Sequence, residues 1–297
     1  MTPHPESRAT ICVEDARVLE HAAYAGDQQV LRAHAPGTAQ TAKPGQFVHL
    51  VCDPAIPMRR PMSIMRVDRR AGWFEILYKV HGAGTSALAR RLPGDTINLL
   101  GPIGRPFKLE GYKQRPLLLG GGVGIPPMIF LAEHVKHVST GIMPLVIMGS
   151  EVPFVFTPRP SRIMVPGMPD GTIACMPLLD DLGIPSRLTS LRGYTGCYEG
   201  YVTDLARSWL KEQDQRLAEI EVFACGPPPM LRAVAALARE FNLPCQISLE
   251  EFMACGVGGC AGCAVRITTD DGPSMQRVCV DGPVFEAGAV YPDISRN

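Results

Sequence analysis

Four cysteines near the C-terminus constrain this chain most: Cys255, Cys260, Cys263 and Cys279. Three lie in the run Cys255-Gly-Val-Gly-Gly-Cys260-Ala-Gly-Cys263, a C-x4-C-x2-C spacing, and the fourth follows after fifteen intervening residues. Four thiolates so spaced suit a 2Fe-2S cluster. The glycines between them let backbone N–H groups approach sulfur without a β-carbon in the way. Structural zinc is the other metal a cysteine quartet takes. Zinc ribbons usually present two C-x2-C pairs across a longer gap. Here three cysteines crowd into nine residues and one stands alone, which favours iron. A cluster passes one electron at a time, so the rest of the chain has to supply the entry and exit for electrons.

The 297 residues suffice for two domains and a small appendage. Lysine plus arginine and aspartate plus glutamate balance at 29 each, so nothing favours nucleic acid or an acidic membrane surface. The opening Met-Thr-Pro-His-Pro-Glu-Ser-Arg has no apolar stretch and does not read as a signal peptide. The uncharged segment Pro116 to Ala132 holds four glycines and two internal prolines. It is too short and too broken to span a bilayer. The expectation is a soluble, cytoplasmic protein with reduced thiols. Cys12, Cys52, Cys175, Cys197 and Cys245 then read as small buried residues or bystanders.

Residues 1–10 read as a loose tail. From 11 to 111 the chain reads as short strands between turns, with strands at Gln46–Val51 and Trp73–Val80 and one short helix at Ser86–Arg91. Turn signals at Pro44-Gly45, Ala71-Gly72, Pro93-Gly94 and Gly101-Pro102 fit a small antiparallel β-barrel. Over 112–244 strands and helices alternate: strands at Pro116–Leu119, Pro144–Met148 and Glu219–Ala224, helices at Ile125–His137, Val202–Lys211 and Pro229–Phe241. That alternation predicts a parallel sheet with crossover helices. Within it Ser150–Gly171, with five prolines, reads as a surface insertion. The segment 245–297 carries the cysteine quartet.

Three further constellations point to cofactors. Arg59-Arg60-Pro61-Met62-Ser63 is followed by Tyr78-Lys79-Val80-His81-Gly82-Ala83-Gly84-Thr85. An arginine fork at a strand end suits a pyrophosphate. Ser63 suits a flavin edge, and Gly84 and Thr85 offer close backbone approach and a hydroxyl to phosphate. Each alone reads better as a turn arginine or a helix cap. Together in a barrel they favour flavin. The turn Gly120-Gly121-Gly122-Val123-Gly124-Ile125-Pro126-Pro127 joins a strand to a helix, and can seat a dinucleotide pyrophosphate. It is not the G-x-G-x-x-G fingerprint, because Ile125 takes the sixth place. Ala224-Cys225-Gly226-Pro227-Pro228-Pro229-Met230 is a second strand-end turn. It predicts Cys225 as a catalytic candidate near a nicotinamide, with Gly226 and Pro227 lining the NAD site. A rigid proline turn with a buried thiol is the plainer reading.

A barrel with Arg-Pro-x-Ser, then a glycine turn, Cys-Gly-Pro and a cysteine quartet resembles the ferredoxin-reductase superfamily. Within it the match is closest to the electron-transfer subunits of NAD-linked (class 1B) dihydroorotate dehydrogenases. The resemblance runs from about Val13 to Val290, and Arg277-Val-Cys279-Val-Asp-Gly-Pro-Val-Phe285 marks Cys279 as the fourth ligand. It implies an FAD-binding barrel, an NAD-binding domain and a C-terminal 2Fe-2S segment. FAD contacts fall on Arg60, Pro61, Met62, Ser63, Leu77, Tyr78, Lys79, Gly84 and Thr85. NAD contacts fall on Gly120, Gly121, Gly122, Gly124, Gly226 and Pro227. An FMN-containing catalytic partner in a two-plus-two heterotetramer, and a place in pyrimidine biosynthesis, are also implied. A reductase serving another partner, such as a hydrogenase or sulfide dehydrogenase, shares these motifs. Arg192 stands where the resemblance leads one to expect an acid, which leaves the nucleotide preference open. Glu151, just past the second strand, either favours NAD over NADP by meeting a ribose hydroxyl or is a solvated loop charge.

Overall fold

The computed structural model describes residues 11–108, 113–138 and 141–294. The expected tail, 1–10, lies outside the described residues. The chain divides into two units: the described residues up to Phe107 with Ser248–Val284, and Lys108–Ile247 with the described residues from Phe285 onward.

In the first unit, six strands close into a barrel: β1 (Cys12–Tyr24), β2 (Gln28–His34), β3 (Phe47–Leu50), β4 (Arg60–Asp68), β5 (Trp73–Lys79) and β6 (Thr96–Ile103). Their order is β1-β2-β5-β4-β3-β6. Every neighbouring pair is antiparallel. Closure leaves no free sheet edge. The interior is made by alternate residues of each strand, among them Leu31, Val48, Leu50, Ile64, Phe74, Ile76, Ile97 and Leu99, all buried. Two short helices decorate the barrel. The first, α1 (Pro36–Thr41), is held by Glu14 of β1, whose carboxylate accepts the N–H groups of Gly37 at 2.8 Å and Thr38 at 2.7 Å. The second, α2, spans Gly82–Leu88 and so starts four residues ahead of the expected Ser86–Arg91. Glycine-rich composition hides it from propensity. The Thr85 hydroxyl secures its start by accepting the His81 N–H at 2.6 Å and donating to the His81 carbonyl at 2.7 Å.

The second unit runs β7 (Arg115–Gly121), α3 (Ile125–Val138), β8 (Leu145–Gly149), β9 (Arg159–Pro160), β10 (Ala174–Cys175), α4 (Pro177–Asp181), β11 (Ser186–Thr189), α5 (Val202–Lys211), β12 (Ile220–Cys225), α6 (Pro228–Glu240) and β13 (Cys245–Ser248). The pairs β11–β8, β8–β7 and β7–β12 are parallel. Leu117, Leu118 and Leu119 of β7 are each fully buried, the continuous apolar run of a strand covered on both faces. Burying each is worth roughly 1.5–3 kcal/mol over leaving it in water. Pro126 and Pro127 occupy the first turn of α3 as expected, where a missing N–H costs nothing. The proline-rich insertion forms the small β9–β10 ladder. Arg159, Ser161 and Arg162 fasten it to the buried carboxylate of Asp180 on α4, at 3.2, 2.9 and 3.0 Å.

After β13 the chain joins the first unit, where β14 (Ala264–Thr269) and β15 (Gly272–Arg277) form an antiparallel hairpin. It then returns as β16 (Val284–Glu286), next to β13 in a sheet ordered β11-β8-β7-β12-β13-β16, and ends in α7 (Ala287–Val290). All ten cysteines stand outside disulfides. No described helix is long and apolar enough to cross a membrane.

Candidate cofactor sites

The cysteine loop is shaped by backbone that side chains disfavour. Gly256, Gly258 and Ala261 have φ of +69°, +83° and +53°, which curls successive N–H groups toward one side. The N–H of Cys260 meets the Cys255 sulfur at 3.4 Å, that of Gly262 the Cys260 sulfur at 3.4 Å, and that of Cys279 the Cys263 sulfur at 3.5 Å. Cys255 neighbours Cys260, and Cys279 neighbours Cys263 and also lies within reach of the Cys255 charge. Among the described residues no three His, Cys, Asp or Glu side chains converge as a single-ion site would require. Four thiols gathered by one loop and the strand end after it would hold a 2Fe-2S centre. Arg277 closes the loop, donating to the Gly258 carbonyl at 3.1 Å while its own N–H and Nε meet Asp281 at 2.8 and 3.3 Å.

The thiols differ electrostatically. Burial resists ionisation of Cys255, but the N–H groups of Val257, Cys260 and Gly259 and the Cys260 thiol outweigh it and bring the group to about 6. Burial and then the neighbouring Cys263 push Cys279 up to about 12. Metal coordination removes both protons.

On the barrel, Arg60, Pro61, Met62 and Ser63 open β4, with Ser63 opposite Phe47 and Pro61 opposite His49 of β3. Arg60 Nη1 donates to the Met58 carbonyl at 2.6 Å. Its guanidinium lies over Gly84, so the arginine and the glycine turn meet in space although they are far apart in sequence. The Thr85 hydroxyl, expected to be available to phosphate, is instead engaged with the His81 backbone. Leu77, Tyr78 and Lys79 end β5 and alternate in direction, so their side chains do not share one face. Tyr78 is buried and its hydroxyl is 2.9 Å from His21 Nε2.

In the parallel sheet, the register Cys225↔Gly120 brings the two strand-end turns side by side at the carboxyl edge of β7 and β12. Ligands bind at that edge in such sheets. Gly120, Gly121, Gly122 and Gly124 line the first turn, and Gly226 and Pro227 the second. A β-carbon on Gly124 would run into the Cys225 carbonyl, and one on Gly121 into the Met230 sulfur. Cys225 itself is 1% exposed, and burial of a thiol there matches the plainer reading of that turn. Arg192 Nε donates to the Glu151 carbonyl at 3.2 Å, so these two residues are neighbours past β8. Met230 and His49 were not among the expected site residues. Met230 stood inside the quoted Cys-Gly-Pro run, but nothing in the sequence marked His49.

Residues 250–291 match the family model for the iron-sulfur cluster binding domain of dihydroorotate dehydrogenase B. The dihydroorotate dehydrogenase B (NAD+) electron transfer subunit of Desulforamulus reducens is 32% identical over 94% of this chain and 98% of its own length. That of Bacillus caldolyticus is 36% identical over 84% and 86%. A solved NADH-dependent reduced ferredoxin–NADP oxidoreductase, studied for flavin-based electron bifurcation, superposes with TM-score 0.70 at 27% identity, covering 93% of this chain and 89% of that one. The ferredoxin reductase in carbazole 1,9a-dioxygenase, at 20% identity and TM-score 0.59 over 78% of this chain and 65% of that one, shares the fold. Barrel, parallel sheet and cysteine loop agree with these likenesses along nearly the whole sequence, and the chain belongs to the family of dihydroorotate dehydrogenase B electron transfer subunits.

Proposed function

We propose that this chain is the electron-transfer subunit of an NAD-linked dihydroorotate dehydrogenase, and that it exchanges electrons between NAD and the FMN of a catalytic partner. When bound, NAD supplies a hydride exchange, FAD couples one- and two-electron chemistry, and the 2Fe-2S cluster passes single electrons. The observation that carries this reading is the gathering of the four cysteines within the same unit as Arg60–Ser63. The residues present suit the groups: thiols with N–H groups aimed at sulfur, and a guanidinium laid against a glycine turn.

Each residue then has a physical task. Cys255, Cys260, Cys263 and Cys279 anchor the irons as thiolates. Arg60 would hold the FAD pyrophosphate through its guanidinium, and Ser63 would meet the edge of the ring. Met62 and the backbone of Leu77–Lys79 and Gly84-Thr85 give the flavin its walls. Gly120–Gly124 and Gly226-Pro227 would leave room for NAD, with Cys225 near the nicotinamide. The partner assembly is two catalytic and two electron-transfer subunits, located in the cytoplasm and serving pyrimidine synthesis.

The test is co-expression with a dihydroorotate dehydrogenase catalytic subunit. Dihydroorotate-dependent reduction of NAD+ is expected only when both chains are present, from a complex with equal numbers of each. The likeness to the ferredoxin–NADP oxidoreductase supports a second reading, service to another acceptor. Retained NADH oxidation with no dihydroorotate-linked turnover would favour it.

A further inference from the structure

His49 is a polar residue buried with nothing to satisfy it. It lies in β3 and is 0% exposed, and neither ring nitrogen has a hydrogen-bond partner among the described residues. Leaving a buried donor unpaired is costly, so a ring kept in this state calls for a partner in the assembled protein. Strand alternation shows which way it faces. Val48 points inward, toward Gly101, where a β-carbon would stand 2.9 Å from it. Phe47 and His49 point to the other side. There Phe47 packs at Gly104 and His49 Nδ1 would stand 2.6 Å from a β-carbon on Gly256, the residue after Cys255. The Arg59 and Met253 backbones also approach the ring, neither of them in hydrogen-bond geometry. Two residues flanking the first cluster cysteine therefore rest on this imidazole. Its strand neighbour in the other direction is Pro61, opposite it in β4, inside the Arg60–Ser63 segment. Burial foremost, then the Arg59 charge, lower its pKa to about 4. The ring is neutral, with one N–H to give.

We propose that His49 is a positioning residue of the cluster centre, a buried floor beneath Cys255-Gly256 that gives its ring N–H to the sulfur of the filled loop and so raises the cluster's reduction potential. The proposal rests on the reading of the cysteine loop as a 2Fe-2S site. Hydrogen bonds to cluster sulfur set reduction potential. The glycine at 256 is explained at the same time: its φ is +69°, and a β-carbon there would press into the ring.

The experiment uses the anaerobically purified full chain, with iron and acid-labile sulfide measured first. Protein without iron would end the cluster reading itself. With iron present, EPR-monitored redox titration compares the native chain with His49→Leu and His49→Gln. A lower midpoint potential and altered g-values in His49→Leu, with His49→Gln returning toward native, are expected. Native potentials in both variants, or the same shift in both, would overturn the proposal while leaving the cluster reading intact. If His49→Leu does not fold, His49→Met takes its place in the same comparison.

Discussion

The guanidinium of Arg60 lies against Gly84, where a β-carbon would stand 2.7 Å from its Nε. The two positions are therefore one feature. Arg60→Ala removes the charge, and Gly84→Val displaces it. Both variants are expected to purify with at least about tenfold less FAD at limiting flavin, a loss of about 1.4 kcal/mol or more. Absorbance spectra of the purified proteins report it. Stoichiometric FAD in Arg60→Ala would rule out the pyrophosphate role.

Cys260 is the exposed member of the quartet, beside Cys255. Cys260→Ser is expected to lose most of the iron while NADH still bleaches the flavin, because the barrel residues that hold FAD are untouched. Coupled turnover with the catalytic partner should fall by orders of magnitude. Full coupled turnover in an iron-depleted variant would show that electrons bypass the loop.

Gly124 cannot take a side chain without pushing on the main chain of Cys225. Backbone cannot swing away as a flexible side chain does, so Gly124→Ala should cost about 1–3 kcal/mol. It should also weaken NAD binding, since it separates the two turns that share the sheet edge. Urea midpoints and NADH titration of the oxidised flavin check both. Flavin content should stay at the native level, which separates this defect from that of Arg60→Ala.

Asp180 gives the insertion a pH dependence. Burial favours its neutral form, but bonds from Arg162, Ser161 and Arg159 outweigh that and hold the carboxyl at about 2, below the ordinary 3.8. The folded value lies below the unfolded one, so its stabilisation is complete above about pH 4 and is lost as pH falls toward about 2. At neutral pH it is worth about 2 kcal/mol. Asp180→Asn is expected to lower stability at neutral pH and to flatten the acid limb of the urea midpoint. An unchanged acid limb would mean that another group sets it.

The sequence makes the architecture legible where local chemistry and tertiary role coincide. Leu117–Leu119 is a buried strand by composition alone, and Pro126-Pro127 marks a helix start. The start of α2 was not legible, because Gly82-Ala-Gly84 has poor helix propensity and forms a turn only with the Thr85–His81 bonds in place. The cysteine loop announces itself by spacing. His49 does not, because a histidine in an alternating strand carries no sign of what will close over it. Nor does Val284–Glu286, a strand of three residues whose place beside β13 depends on the route taken in between.

That route has a practical result. The excursion bearing the metal ligands departs from one strand of a sheet and comes back as the adjacent one, so it is sewn in at both ends and is no detachable tail. Trimming the protein just past Cys279 to obtain a minimal electron carrier would strip off a sheet margin and leave β13 as a raw, aggregation-prone border. Grafting a foreign ferredoxin module between Ser248 and Val284 keeps both seams, and is the sounder route to re-engineering the electron relay.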